Sequence, residues 1–494
     1  MKTILKVKNL LKAKSLFFCV VLLLVLCGCV PVRPETDSRA SFYINLNDYP
    51  LYVKNGFEGT DITLPPEAPM GPMGPTGPKD ESSPQDLSAG PWRLIPSRSD
   101  DPRRPASVKH SGLPGIPKRV FLSPFAEKDR EYTMVIPFTV SPEQFGQING
   151  KKPFQPGLFL ATVGVNWEIF LNGHTVRSEI HLDEEGQIES GRGWRYVSLP
   201  LDSSLFVPET NLLVLRIIGP PDYDMTGLCY EQPYYIAGYE TIQKKHNESL
   251  TIALCAVYIF VGIYHFLLFL SRPRDRFNLY YCGFSIVLGI CFLMRSHAIY
   301  HFIPDSNITF RIEYASVFMA LPLLGAFLEN LSFGKTSIFV RVFGIFWLLL
   351  VIAQWIFPRP FGDDVLRIWW LTDFFAIIYI LAYDMIYAFY RTVRERRRIS
   401  GGPLPEVLWK ALVETPLGNL IIGILLMSIT ATIDILSSLY RNRGTLIFSS
   451  YGFFLFTITT TIILARRFGG LFHKLDTMNT ALEKANANLE ATVR

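Results

Sequence analysis

The segment Leu250–Leu270, LTIALCAVYIFVGIYHFLLFL, is the first of seven apolar segments that fill the chain from Leu250 to Ala465. An α-helix rises about 1.5 Å per residue, so about 20 apolar residues cross a hydrocarbon core of roughly 30 Å. The connections between the segments are too short for a soluble domain. The pattern therefore predicts a compact seven-helix transmembrane bundle over residues 247–468. The other six segments are Phe277–Met294, Ile312–Leu328, Ile338–Phe357, Val365–Tyr390, Leu417–Leu439 and Thr445–Ala465.

The basic residues between these segments predict the orientation of the bundle. Most of them lie in the loops after the first, third, fifth and seventh segments, with a dense run over Arg391–Arg398. Lys and Arg near the ends of spans favour the cytoplasmic side. We therefore expect the N-terminal region outside the cytoplasm and the C-terminus inside.

Composition agrees with a protein that is half embedded in a bilayer. Of the 494 residues, 49% are hydrophobic and 14% aromatic. The net charge of +5 arises largely from the loops, so it predicts no nucleic-acid partner. After a predicted cleavage only Cys29 and Cys229 remain in the external region. That region must then fold through its own core rather than through disulfides.

The N-terminus has the pattern of a bacterial signal peptide over residues 1–28. Five lysines between Lys2 and Lys14 precede the apolar run Leu16–Leu26, which is too short to span a bilayer comfortably. Leu26–Cys29, LCGC, resembles a lipobox, and this resemblance implies lipidation of Cys29. The alternative is an uncleaved signal anchor, which would add an eighth helix.

Residues 30–240 change to short alternating runs that are broken by Pro and Gly. Asn172-Gly173 lies between two of these runs and is a strong two-residue hairpin signal. The glycine- and proline-rich stretch near 65–91 predicts a disordered insertion. Together these features predict an antiparallel β-sandwich. The predicted strands are Tyr132–Val140, Leu158–Val165, Glu168–Leu171, Thr175–Glu179, Tyr196–Leu199 and Leu212–Ile218.

Part of this region resembles the jelly-roll sugar-binding domains that are attached to glycosidases. The resemblance lies in Trp167–Gly173, Val197–Pro200 and Asn211–Ile217, and it implies an all-β jelly roll with a carbohydrate-like ligand. Trp167, beside the hairpin, is expected in the core. The candidate ligand-binding residues are instead Trp194, Arg195, Tyr196 and Trp92, because aromatic rings can stack on a sugar and Trp194 lies in a glycine-flanked loop.

The order of the segments resembles the bacterial seven-transmembrane receptors with diverse intracellular signalling modules. The stretch Arg274–Tyr281, RDRFNLYY, opens the second span in this resemblance. It implies an inner-membrane receptor that passes external binding of a small molecule to a cytoplasmic effector. The sequence after Ala465 has no kinase, cyclase or phosphatase motif, so we expect no enzymatic activity in this chain and an effector outside it.

Residues 469–494 predict a cytoplasmic coiled coil. The apolar positions recur at alternating spacings of four and three, which is the seam of a heptad repeat. A helix this short is marginal alone and gains stability from a second copy, so the seam predicts a homodimer. The alternative is one amphipathic helix packed under the bundle. The seam is Leu471, Leu475, Met478, Leu482, Ala485 and Leu489.

Polar residues inside the apolar segments are the remaining candidates. Charges in a bilayer are costly, so Asp373, Asp384, Asp434 and His265 predict contacts between helices or an ion path. His297 and His301 have the spacing of metal ligands on a helix but lack an obvious third ligand, so neither a metal nor a cofactor is predicted. A transporter with an external capture domain remains the alternative function.

Overall fold

The computed structural model describes residues 42–62, 64, 85–86, 92–95, 131–150, 154–219, 227–228, 232–357, 365, 368–369, 372–373, 375–441 and 447–493. Three predictions fall outside these residues: the signal peptide, lipidation of Cys29, and the insertion near 65–91 apart from a two-residue strand. The described residues form a β-sheet region followed by a set of long helices.

Two antiparallel sheets make up the N-terminal region. In the four-stranded sheet the spatial order is β1 (Tyr43–Asn45), β11 (Tyr234–Gly238), β6 (Pro156–Leu160) and β9 (Val197–Pro200). In the seven-stranded sheet it is β3 (Gln85–Asp86), β4 (Arg93–Ile95), β2 (Leu51–Asn55), β5 (Glu131–Val140), β10 (Glu209–Ile218), β7 (Asn166–Leu171) and β8 (His174–Glu179).

One hydrophobic core joins the two sheets. Alternate residues of β5, such as Met134 and Ile136, pack in the same cluster as Leu158 and Leu160 of β6. Side chains of a strand point alternately to its two faces, so this alternation gives each sheet one face toward the shared core. Trp167 is fully buried there, as predicted. The two layers form a sandwich, while its jelly-roll connectivity stays a prediction.

Six strands were predicted from the sequence, and all six are present with shifted ends. The hairpin between β7 and β8 is also confirmed, because Asn172 and Gly173 both have positive φ angles, 49° and 83°. Asn and Gly tolerate this left-handed backbone better than other residues. The main boundary error is in β6, which ends at Leu160, whereas the sequence predicted a strand to Val165.

The described residues include ten α-helices with defined bounds. Two of them are short and pack with the sandwich, and the other eight belong to the helical region. A π-helical segment, Ile380–Tyr387, precedes α7, and a 3₁₀ turn, His297–His301, lies between α4 and α5. The helices are α1 (Pro142–Ile148), α2 (Tyr239–Lys245), α3 (Ser249–Ser271), α4 (Phe277–Arg295), α5 (Ser306–Phe333), α6 (Ile338–Ile356), α7 (Ala388–Ser400), α8 (Leu404–Glu414), α9 (Pro416–Arg441) and α10 (Ile447–Val493).

Five helices of the described part are long and apolar enough to cross a membrane, so the protein is a multi-pass membrane protein. A sixth is added if Leu404–Glu414 and Leu417–Thr430, bent by 77°, count as one span. The five are Tyr239–Ser271, Phe277–Arg295, Ser306–Phe333, Ile338–Ile356 and Phe375–Ile399. Phe448–Leu464 is a shorter apolar helix, so the predicted count of seven spans is not confirmed.

The last helix, α10, continues from the apolar segment into the predicted heptad region. It runs without a break through Gly469 and Gly470 to Val493. Of the predicted seam, Leu475, Met478 and Leu482 are 45%, 69% and 64% exposed in the single chain. A seam without a partner is expected to be exposed in this way, and the coiled coil itself stays a prediction.

Candidate functional site at the junction of sandwich and helices

A loop of the sandwich meets the start of α5, and its glycines permit the close approach. The Ser306 N–H donates to the carbonyl of Gly191 at 2.9 Å, and the Gly193 N–H donates to Ser306 Oγ at 3.1 Å. A Cβ atom on Gly191 would lie 2.9 Å from side-chain atoms of Asn307 and Ser306. Glycine therefore lets the loop backbone reach the first turn of α5. We call residues 190–196 the junction loop.

Asp305 strengthens this contact from the helix side. Its carboxylate accepts from the Asn307 N–H at 2.7 Å, as an N-cap of α5 does. The same oxygen accepts from the Gly191 N–H at 3.3 Å. One carboxylate thus holds both the end of the helix and the junction loop.

Trp194 connects the sandwich core to the turn between α4 and α5. Its ring packs edge-on against Trp167 with centroids 5.8 Å apart, and it stacks on Tyr300 at 5.6 Å. The Trp194 Nε1–H donates to the carbonyl of Pro304 at 3.0 Å. Trp167 lies in the sandwich core and Tyr300 in the turn between α4 and α5, so Trp194 bridges the two regions.

Tyr196 stacks on His297 with ring centroids 4.3 Å apart. Burial, followed by the neighbouring His301, lowers the pKa of His297 to about 4. Burial, followed by the charge of Glu248, raises the pKa of Tyr196. Both rings are therefore neutral at ordinary pH, which suits a stacked contact that is mostly closed to water.

A buried carboxylate completes the junction with two arginines. Glu313 in α5 is 3% exposed and pairs with Arg195 of the junction loop and, at 2.7 Å, with Arg295 at the end of α4. The Arg195 guanidinium also lies 5.4 Å from the Phe310 ring centre. Glu313 therefore pairs with one arginine of the sandwich, Arg195, and one of α4, Arg295, and it connects the junction loop to both α4 and α5.

The structure brings three of the four predicted ligand residues together. Trp194, Arg195 and Tyr196 all lie at the junction, where other side chains of the protein contact them. Trp92 belongs to a different cluster with Tyr52 and Val135, and Lys54 lies 5.1 Å from its ring centre. A ligand role for the four residues stays a prediction.

Sequence reasoning missed Glu313 and Arg295 as functional candidates. Both lie at the edges of apolar segments, and Glu313 stands inside a stretch that was otherwise predicted to cross the membrane. The position of Glu313 in an apolar segment could have indicated a functional residue, because a carboxylate within a membrane span needs a cation or a hydrogen-bond donor beside it. Its partner Arg195 is 118 residues away in sequence, and no local pattern connects the two.

Two of the intramembrane polar residues make hydrogen bonds between helices, while their role stays a prediction. His265 Nδ1 of α3 lies 3.0 Å from Asn278 Oδ1 of α4. Asp434 of α9 accepts from the N–H groups of Phe448 and Ser449 at the start of α10. These hydrogen bonds satisfy buried polar groups and fix helix pairs. Asp373 is only partly buried.

The histidines at the junction do not assemble a metal site in the described part of the chain. His297 and His301 pack edge-on with ring centroids 6.3 Å apart. Among the residues that were searched, no group of three His, Cys, Asp or Glu side chains could hold a metal ion.

Comparison with known families identifies the helical side of this junction. Residues 247–402 match the family described as 7TM diverse intracellular signalling. We call this matched stretch the 7TM signalling domain. Glu248, Arg295, His297 and Glu313 lie within it, while the junction loop lies outside it in the sandwich. At the junction, the 7TM signalling domain is thus the region that Trp194, Arg195 and Tyr196 of the sandwich contact.

Solved structures offer only weak likenesses. A putative β-galactosidase from Bacteroides fragilis has 12% identity and a TM-score of 0.16, covering 22% of this chain and 15% of that one. A glycosyl hydrolase family 2 member from Bacteroides cellulosilyticus has 12% identity and a TM-score of 0.20, covering 40% and 20%. The β-D-mannosidase from Dictyoglomus thermophilum has 14% identity and a TM-score of 0.16, covering 23% and 16%.

The matches thus span a fifth or less of the length of these glycosidases. These TM-scores are too low to support a conclusion about the fold or activity of this protein. A comparison with curated protein sequences found no match.

Proposed function

We propose that the protein is a bacterial inner-membrane receptor that binds a carbohydrate-like small molecule outside the cytoplasm and signals to a cytoplasmic effector. The observation that carries the proposal is the junction of a sandwich loop with α4 and α5 of a 7TM signalling domain. A change in the loop would act directly on two membrane helices. In this proposal the N-terminal region is external and the C-terminus cytoplasmic.

The junction offers a physical route from binding to signalling. The rings of Trp194 and Tyr196 are stacked on Tyr300 and His297, so a sugar that uses these faces competes with the helices for them. A ligand changes a conformational equilibrium only by binding one state better than the other. Here the ligand would favour an open junction, and α4 and α5 would lose their contacts with the loop.

The output would pass through α10. This helix joins the apolar segment Phe448–Leu464 to the exposed seam residues without interruption. Two parallel copies would cover Leu475, Met478 and Leu482 against each other, as apolar seams of coiled coils do. A change in the membrane helices could then alter the spacing or rotation of the paired helices beside the effector.

The proposal is tested by saccharide binding to the full-length protein in lipid nanodiscs. A panel of mono- and oligosaccharides is screened by thermal unfolding, because a ligand at about 100 times its Kd stabilises the binding state by about 2.7 kcal/mol. We expect at least one saccharide to change the unfolding temperature of the native protein. We expect Trp194→Ala to abolish that change.

The matched control is Trp409→Ala, since Trp409 lies on α8 and is 60% exposed. This variant should respond to the same saccharide as the native protein does. Failure of the whole panel to alter unfolding, or an equal response in Trp194→Ala, would contradict the proposed ligand class and site.

A further inference from the structure

Asp384 is a buried carboxyl group that has no hydrogen-bond partner among the described residues. Its side chain is 1% exposed, and neither oxygen has a partner in the described part of the chain. It lies in the fifth apolar segment, inside the π-helical stretch Ile380–Tyr387. An ionised carboxylate in such a place would cost far more than a neutral acid. π-Helical turns are rare and occur frequently at functional sites.

A second buried carboxyl group, Glu329 of α5, interacts electrostatically with Asp384 and accepts hydrogen bonds from two donors. Glu329 is 1% exposed, and its Oε2 accepts from the Ser337 N–H at the start of α6. The Tyr379 hydroxyl donates to Glu329 Oε1 at 3.0 Å. Among the described residues, two titratable groups interact electrostatically with Asp384, namely Glu329 and Tyr379. Both are acids, so neither supplies a positive charge.

We infer that Asp384 is a proton-binding site of the membrane domain, occupied by a proton in the conformation described here. The two carboxyl groups differ in the hydrogen-bond donors that surround them. The Glu329 oxygens accept from two donors, whereas Asp384, with no donor among the described residues, is suited to the neutral acid. The proton is bound to one Asp384 carboxyl oxygen, and it leaves to water when the site opens.

Proton release would be coupled to the shape of the bundle. A bare charge on Asp384 beside Glu329 favours any conformation that exposes it to water or offers it a donor. The π-helical stretch is the element that can change, because closing it to an α-helix turns the residues after it about the helix axis. Protonation and the arrangement of the fifth segment are then linked, as any binding and conformational change are. This link does not depend on the proposed external ligand.

The test is infrared spectroscopy of the full-length protein in lipid nanodiscs at neutral pH. A protonated carboxylic acid has a carbonyl stretching band that a carboxylate lacks. We expect the Asp384→Asn variant to lose one such band, which in the native protein shifts to lower frequency in D₂O. The matched control is Asp434→Asn: Asp434 is 2% exposed but accepts two backbone N–H groups, so this variant should keep the band.

Two results would overturn the inference. One is an unchanged set of carboxylic acid bands in a natively folded Asp384→Asn protein, checked by circular dichroism. The other is a band that is absent in sodium chloride and appears in choline chloride, because an alkali cation would then occupy the site. If Asp384→Asn does not fold, Asp384→Glu is used instead, and the band should move rather than disappear.

Discussion

Glu313 is the residue on which the junction depends most directly, because one carboxylate pairs with a guanidinium from each side. Replacing it with Gln keeps the shape but leaves Arg195 and Arg295 without their counter-ion. Breaking a fully buried pair costs about 3–5 kcal/mol, and because both arginines are about a quarter exposed we expect about 2–3 kcal/mol. Chemical unfolding of the full-length Glu313→Gln protein in detergent measures this loss.

Glu240→Gln is the control for that experiment. Glu240 pairs with Lys244 on α2, where both side chains are more than three-quarters exposed. Exposed ion pairs are screened by water and contribute little to stability, so this variant should unfold close to the native protein. Equal losses in the two variants would contradict a buried linking role for Glu313.

His297 predicts a pH dependence of the junction. Burial in the folded protein lowers the pKa of His297 to about 4, while an unfolded histidine titrates at about 6.5. Between these values the unfolded state binds more protons, so stability is present above about pH 6.5 and falls as pH decreases toward 4. We expect the unfolding temperature to drop between about pH 7.5 and about pH 5.

His297→Phe isolates this contribution, because a phenyl ring keeps the stacking on Tyr196 and cannot take up a proton. The drop in unfolding temperature should be smaller in His297→Phe than in the native protein. The control His174→Phe, on the exposed strand β8, should retain the native drop. The same drop in all three proteins would rule out His297 as the cause.

At the residue scale, the sequence predicted which side chain is buried better than it predicted which segments contact each other. Trp167 was predicted in the core because it precedes a hairpin, and it is fully buried. Trp194 was predicted as a ligand candidate because it lies in a glycine-flanked loop, and that role stays a prediction. The same glycines let the loop backbone approach α5, which no local pattern reveals because the two segments are far apart in sequence.

At the element scale, α3 and α4 pack through glycines. A Cβ atom on Gly262 would lie 2.5 Å from Ile286 Cγ1 and 3.1 Å from the Cys282 carbonyl oxygen. Small residues let membrane helices approach closely. We expect Gly262→Ala to destabilise the protein by about 1–3 kcal/mol in chemical unfolding, the usual cost of overpacking.

Gly344→Ala tests whether that loss is specific. Its added Cβ would meet Pro322 Cβ at 3.6 Å, an ordinary contact, so overpacking is absent there. Alanine also has the higher helix propensity, which favours the variant by up to about 1 kcal/mol. Destabilisation of Gly344→Ala as large as that of Gly262→Ala would contradict the packing argument.

Long apolar elements were predictable from the sequence, and elements defined by tertiary contacts were not. The 10-residue strands β5 and β10 are mostly apolar and were found near their observed ends. Strands β1 and β4 have three residues each, too few for a period to be recognised. The π-helical stretch Ile380–Tyr387 has an apolar composition like that of its neighbours, so its departure from α-helical geometry left no signal in the sequence.

At the scale of the whole molecule, the junction is the contact through which the sandwich can act on the 7TM signalling domain. Its hydrogen bonds, stacked rings and ion pairs connect the junction loop with α4, α5 and the turn between them. Beyond the helices, α10 continues to Val493 with an exposed apolar seam. The proposed receptor requires these two ends to respond to one another.

Cysteine cross-linking in membranes measures that response most directly. Single cysteines at Met478 on the seam and at Thr480 off the seam are introduced into the full-length chain without native cysteines, with and without Arg195→Ala. The account predicts that Met478→Cys cross-links more than Thr480→Cys, and that Arg195→Ala changes the ratio of the two products. Absent cross-linking, or an unchanged ratio in a folded Arg195→Ala protein, would contradict it.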